Sequence, residues 1–200
     1  MSRKNRLLPD RSLPPYTHVP GRTPHPISDP SGHSFGRPTE AVNLPDASAP
    51  SKCVALLWGI DLFNHGFYWE AHEAWEGPWH KLGRIGQSAD FFKGLIQLAV
   101  AGVKHYEMRE EGMRRHATRA AELLASVASP VFFGLSIRDL VALGQKVARD
   151  GWPRVFPWIC FYGSKDVIPT CQNTEQPARI VEVAWKTPTR RQDVGDNTPK

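Results

Sequence analysis

The chain has 200 residues, 40% of them apolar, 10% aromatic and 22% charged, with a formal net charge of +5. That is enough for one domain of ordinary size, or one domain with arms, and it excludes a wholly disordered chain, a collagen-like chain and a disulfide scaffold. Three cysteines (Cys53, Cys160, Cys171) match no zinc-ribbon or redox spacing and fit a reducing compartment, the cytoplasm.

No run of about 18 apolar residues is present, so no membrane-spanning helix is expected. The basic start (Arg3, Lys4, Arg6) meets prolines rather than an apolar run, which argues against a secretory signal. The positive excess is spread along the chain. Residues 1–50 carry 6 basic and 4 acidic groups, residues 51–150 carry 12 and 11, and residues 151–200 carry 7 and 5. A nucleic-acid surface concentrates Lys and Arg on one face, so nucleic acid is not the expected partner. The densest basic cluster, Arg114, Arg115 and Arg119, reads equally well as a solvated helix face.

Proline partitions the chain. Ten of the 18 prolines fall in residues 1–50, two in 51–150 and six in 151–200. Proline fixes φ and lacks an N–H, so the middle hundred residues are the helical body. Residues 1–50 read as an extended, proline-rich arm, in which Tyr16, His18, Val19, His25, Ile27, His33 and Phe35 are spaced to dock on a surface; disorder is the alternative. Residues 151–200 read as an irregular C-terminal extension, with Ile180 to Trp185 as a candidate edge strand.

Within 51–150 the apolar spacing is helical throughout. The first helix runs from Ser51, a candidate N-cap, to Asn64. Val54, Leu57, Trp58, Asp61 and Leu62 form its face, and His65-Gly66 ends it. The second runs from Phe67 to Trp79. Gly83 and Gly86 mark a loop. The third spans Ser88 to Glu111, with Phe91, Phe92, Leu95, Ile96, Ala99, Val103 and Tyr106 inward and Gly112 as its break. The fourth covers Met113 to Val127 and stops at Ser129-Pro130. The fifth covers Ser136 to Arg149, closed by Gly151. No strand alternation of useful length appears. The expected fold is all-α: a bundle of about five helices with the arm before it and the extension after it.

The stretch from Phe67 to His80 holds three of the chain's seven tryptophans. At about 100° per residue, His72 and Glu76 lie one turn apart on one side, Trp79 follows, and Tyr68, Trp69 and Trp75 flank them. Glu70 and Ala74 point away. An imidazole and a carboxylate thus sit in an aromatic stripe, where each needs a partner. The carboxylate favours the imidazolium and burial opposes it, so the pair is a candidate for titration near neutrality.

His72-Glu73-x-x-Glu76 differs from a zincin motif, which has histidine at both ends. A looser divalent-metal site of His72, Glu76 and a further histidine (His65, His80, His25 or His33) is the alternative, with carboxylate and imidazole suited to zinc, manganese or iron. Pro78 is expected to end or kink the helix and turn His80 off this line. In the third helix Lys93, Gln97 and Lys104 lie near one line, and Gly94 and Ala101 allow close helix approach. Gln97 is either a second wall of the site, donating to Glu76, or a buried interhelical hydrogen bond. Neither Cys53 nor Cys160 has a base nearby in sequence, and no nucleophile elbow, Walker loop or dinucleotide fingerprint occurs.

His72-x-x-x-Glu76-x-x-Trp79, preceded by Phe67-Tyr68-Trp69-Glu70-Ala71, resembles the signature of the domain of unknown function 309 family. Phe92-Lys93-Gly94-Leu95-Ile96-Gln97-Leu98-Ala99 resembles its second hallmark. The likeness covers about Ala55 to Val127. It implies an all-helical bundle in a bacterial-type cytoplasmic protein, and it carries His72, Glu76, Trp79 and Gln97 over as motif residues. It implies no reaction. Pro78 departs from the pattern.

The reading that follows is a small helical binding domain. His72, Glu73 and Glu76, walled by Trp69, Trp75, Trp79 and Gln97, would bind a small polar ligand or a metal, or act as a structural lock beneath the arm. The rivals are a metal-assisted hydrolase, with Glu73 or Glu76 as base and His72 as ligand, and a nucleic-acid accessory factor. The aromatic excess is also compatible with a homo-oligomer interface.

Overall fold

The computed structural model describes residues 6–38, 41–154 and 157–163. Among these residues there are five α-helices: α1 (Val54–Asn64), α2 (Tyr68–Lys81), α3 (Gln87–Tyr106), α4 (Glu110–Ala125) and α5 (Ile137–Asp150). One short hairpin joins the last two, β1 (Val131–Phe132) antiparallel to β2 (Leu135–Ser136), in the register Val131 to Ser136 and Phe132 to Leu135. The all-helical expectation holds, and each helix packs on the next in chain order. No helix among the described residues is long and apolar enough to cross a membrane.

The boundaries follow local chemistry. α1 closes on Gly66 at φ 82°, with Gly66 N–H donating to the Phe63 carbonyl and Phe67 N–H to that of Leu62. This is the two-bond Schellman closure for which glycine is the usual residue. The same closure ends α3, but Met108 fills the glycine position at φ 59°. Met108 N–H reaches the His105 carbonyl at 3.0 Å, and Arg109 N–H reaches that of Lys104 at 2.9 Å. The break therefore falls before Glu110 rather than at Gly112, which lies inside α4.

Three further expectations are corrected. α2 continues through Pro78 to Lys81, with the pyrrolidine ring buried and Leu82 N–H closing on the Pro78 carbonyl. Ser51 does not cap α1: a single 3-10 turn (Pro50–Lys52) precedes it, and Cys53 takes the cap position without a side-chain bond. The hairpin shows no apolar alternation because it is only two residues per strand. It turns on Phe133 and Gly134, both at positive φ, as a tight two-residue turn requires. Phe133 accepts that conformation with its ring buried and stacked on Phe91 at 5.3 Å. Ser136 caps α5 by accepting from Asp139 N–H, and Gly151 closes it, as expected.

The core is built on Phe63, Tyr68, Trp75, Phe91, Phe92, Leu95 and Leu98, all fully buried. Close approach depends on small residues. A Cβ on Gly59 would lie 2.1 Å from the Trp75 indole, one on Gly102 2.5 Å from the Tyr68 ring, and one on Gly94 2.6 Å from Leu124. The Gly94 approach is the one expected from the sequence. α3 is the central helix. Beyond its first turn it is buried except along Lys93, Gln97, Val100 and Lys104 and at its last two residues, His105 and Tyr106.

The arm is seated on the bundle. Leu7, Leu8 and Leu13 pack against the core, and His18 and Val19 are buried. Residues 157–163 form neither helix nor strand. They are fastened by Asn64, which donates to the Ile159 carbonyl at 2.9 Å and accepts from Ile159 N–H at 2.7 Å. The candidate strand at Ile180 to Trp185 lies outside the described residues.

Candidate functional site

Two buried carboxylates hold the arm. Asp61 of α1 accepts from Leu7 N–H and Leu8 N–H, both at 2.8 Å, with Arg6 at 3.6 Å. Glu70 of α2 accepts from the Thr17 hydroxyl at 2.8 Å and from His18 N–H at 2.8 Å, with His33 Nε2 at 3.3 Å. A carboxylate removed from water requires such donors. The Asp61 carboxyl is still pushed up by burial, partly offset by the two amides, Arg6 and His65. Glu70 does point away from the His72 side, as the helical wheel requires. The arm, rather than solvent, covers it.

Trp69 is the hub between arm and helix. Its ring meets His18 at 4.5 Å, His25 at 5.5 Å and His72 at 4.7 Å, each edge-to-face. His18 Nδ1 lies 3.1 Å from the Pro24 carbonyl, and His25 Nδ1 accepts from Ile27 N–H and Ser28 N–H. Burial holds the His18 imidazole below its usual value, with His25 pushing the same way.

His72 is half-buried, not enclosed. Its Nδ1 contacts the Trp69 carbonyl, which fixes Nδ1 as the donor and leaves the Nε2 lone pair. Burial lowers its pKa, opposed by the Glu76 carboxylate and assisted by the Lys93 ammonium. The imidazole therefore lies within the field of both charges, although no hydrogen bond joins it to Glu76. Glu73, one turn from Glu70 and from Glu76, has its carboxyl pushed up to about 7, by burial first and then by those two neighbours. The Trp69 indole N–H pulls it back, yet that buried N–H finds no acceptor in hydrogen-bond geometry.

Across α3 the picture continues. Lys93 Nζ sits 4.0 Å over the Trp79 ring of α2. One turn further on, Gln97 Oε1 lies 2.7 Å from His116 Nδ1 of α4. The expected donation from Gln97 to Glu76 is not made. The amide pairs with a histidine that the sequence reading did not single out. Burial, then Arg115, Lys104 and Lys93, lower the His116 pKa. Its Nδ1–H points at Gln97, so Nε2 again keeps a lone pair. Lys93, Gln97, Val100 and Lys104 thus form a half-buried line on α3, which Trp79 of α2 meets at Lys93 and His116 of α4 meets at Gln97.

Other candidates are placed elsewhere. Trp75 is fully buried and donates to the Leu56 carbonyl, so it belongs to the core and not to the site wall. His65 turns its Nδ1 to the Asp61 carbonyl, and His80 is exposed. Among the described residues no group of three His, Cys, Asp or Glu is placed to hold a metal ion. Arg114 donates to the Ala148 and Arg149 carbonyls at the end of α5 and pairs with Glu110, and Arg119 pairs with Glu122. Burial pushes the Cys53 thiol up, the reverse of an activated nucleophile.

Fold and site together define a small helical domain with a proline-rich arm clasped by buried carboxylates and a half-buried polar line on α3 that Trp79 and His116 meet. Residues 56–116 match the family described as Domain of unknown function (DUF309). The resemblance to this family is borne out over that stretch, within which His72, Glu76, Trp79, Gln97 and His116 fall. No curated protein matches the chain.

Proposed function

We propose that the protein is a binding domain for a small polar ligand, taken up beside His72 where α2 meets α3. One observation carries this reading. The Lys93 ammonium rests 4.0 Å over the Trp79 ring, neither it nor the Glu76 carboxylate makes an ion pair or hydrogen bond among the described residues, and both act on the half-buried His72 imidazole. Charged groups that the protein leaves to solvent beside aromatic rings are available to a small polar ligand. The Nε2 lone pairs of His72 and His116 add two acceptors. The role of structural lock passes to Asp61 and Glu70.

The test is a set of titrations of the full chain with small amines, carboxylates, amino acids and divalent metals. Indole N–H resonances of Trp69 and Trp79 serve as reporters. At least one class is expected to shift Trp79, with the response reduced at least tenfold in Glu76→Gln. A folded protein whose Trp79 signal ignores every class would overturn the proposal. Saturation by a divalent metal alone would favour the hydrolase instead.

A further inference from the structure

We infer that Ser34 is a nucleophile built into the arm, able to take an acyl group from small activated esters and thioesters. The site lies where the arm meets α2 and does not depend on ligand binding beside His72.

Ser34 Oγ lies 3.0 Å from His33 Nδ1, and His33 Nε2 lies 3.3 Å from Glu70 Oε1. The buried Glu70 carboxylate only accepts, so the proton of the neutral imidazole sits on Nε2 and the lone pair on Nδ1. The Ser34 hydroxyl donates to that lone pair. A hydroxyl, a base within hydrogen-bond reach and a third group that orients the base are the parts that activate a serine. The ring nitrogens serve the other way round from the serine-protease arrangement, which leaves the proton inventory the same. The base is held in place. Glu70 is fixed by the Thr17 hydroxyl and His18 N–H, both at 2.8 Å, and the Tyr16 ring meets the His33 ring edge-to-face at 4.8 Å. The His33 side chain is nearly buried, whereas Ser34 is half-buried and open to a small reagent.

In the step itself, Ser34 Oγ bonds to the acyl carbon while its proton passes to His33 Nδ1. The imidazolium so formed lies beside the Glu70 charge. The bond from the acyl carbon to the leaving oxygen or sulfur then breaks, and that atom takes the proton from Nδ1. Water, deprotonated by the same nitrogen, later releases the acid and restores the hydroxyl. Ser34 N–H and Phe35 N–H are spent on the Pro26 and Gly32 carbonyls, at 2.9 and 3.1 Å, so neither is offered to the oxyanion. Without that help the reaction is confined to good leaving groups, aryl esters and thioesters, and does not extend to amides. Phe35 follows Ser34, and Ile27 follows the Pro26 that Ser34 N–H bonds; both side chains are exposed, which suits a short aliphatic acyl group.

The experiment treats the full chain with p-nitrophenyl acetate and butyrate, and separately with a fluorophosphonate, and locates the modified residues by peptide mass spectrometry. Ser28 and Ser31 of the same arm are the internal control. Both are more exposed than Ser34, and neither hydroxyl meets an imidazole among the described residues. Accessibility alone favours them; the base predicts that Ser34 is modified at least a hundredfold faster. Ser34→Ala and His33→Gln should each cut nitrophenolate release to the chemical background, with circular dichroism unchanged. Glu70→Gln keeps an oxygen for the Nε2–H but no charge for the imidazolium. Its rate should fall at least tenfold while the His33 ring-nitrogen NMR shifts keep the same tautomer, and an unchanged rate would remove Glu70 as the positioning residue. The comparison within the wild-type arm stands even where a variant does not fold. If Ser34 reacts no faster than Ser28 and Ser31, if only lysines are labelled, or if His33 carries its proton on Nδ1, the inference is overturned.

Discussion

Replacing Glu73 by glutamine should stabilise the protein, and only at neutral or alkaline pH. The Glu73 carboxyl titrates at about 7 in the fold against 4.5 in an unfolded chain. The folded state therefore holds its proton more tightly. Stability is unaffected below pH 4.5, declines as pH rises through the window from 4.5 to 7, and stays reduced above it. The full displacement corresponds to about 3 kcal/mol at about 1.4 kcal/mol per pH unit. Glu73 is only half-buried, and water screens part of this, so about 1–2 kcal/mol is the working figure. Glutamine has nearly the same shape, no charge to desolvate, and an oxygen for the unsatisfied Trp69 indole N–H. Urea unfolding at pH 4.5, 6 and 8 reads this directly. The variant should match the parent at pH 4.5 and exceed it by about 1–2 kcal/mol at pH 8. An equal gain at both pH values would show that packing, not ionisation, is responsible. A loss at pH 8 would refute the argument outright.

Asp61→Ala should release the first part of the arm, since two amides lose their acceptor at about 1–3 kcal/mol each if they stay buried; hydrogen exchange at Leu7 and Leu8 should rise while α3 stays protected. His18 and His72 both titrate below the ordinary 6.5, so the stability that they carry is present above that value and lost as pH falls beneath it. Protection at His18 and Val19, corrected for intrinsic rates, should therefore weaken between pH 7 and pH 5; unchanged protection would count against the Trp69 hub. Met108→Gly removes a non-glycine residue from the left-handed region at an exposed site and should raise stability by about 0.5–1 kcal/mol, seen as a higher melting temperature. Gly102→Ala drives a methyl into the Tyr68 ring and should lower stability by about 3 kcal/mol in a denaturant series.

Most of the helical body is legible in the sequence, because apolar spacing and glycine stops are local signals. His65-Gly66, Ser136 and Gly151 mark their boundaries where the chain obeys the common capping chemistry. The α3–α4 break is missed for a definite reason: a methionine does what glycine usually does, and Gly112, the visible stop signal, lies harmlessly within a helix. Pro78 misleads in the same way, since a buried ring that packs well outweighs the lost hydrogen bond. At the site, the helical wheel places His72, Glu76 and Trp79 on one side, and they are there. It cannot show which partner a long side chain chooses. Gln97 lies on the expected line of α3 but pairs with His116, a choice fixed by the crossing of α4. Asp61 was visible as an acidic residue within an apolar face; its role needed the arm, fifty residues earlier in the chain.

The three glutamates of α2 show how one helix supplies both a clasp and a site. They recur at every third residue, so each is turned about 60° from the one before and meets a different environment. Glu70 faces the arm, is nearly inaccessible, and is satisfied by a hydroxyl, a backbone amide and an imidazole. Glu73 lies between the other two, with no hydrogen-bond partner that meets geometry, and responds by holding its proton up to about pH 7. Glu76, one turn after His72, acts on its imidazole, as Lys93 of α3 also does. The difference is set by what each meets: Glu70 has three donors built in, while Glu73 has none and lies between two acidic neighbours, so its own charge is suppressed. Moving the arm off Glu70 would restore water to the first of these and weaken the repulsion that raises the second. A variant that loosens the arm at Glu70 itself, such as Thr17→Val, should therefore lower the Glu73 pKa, a change that carbon-detected NMR titration of the carboxyl can follow.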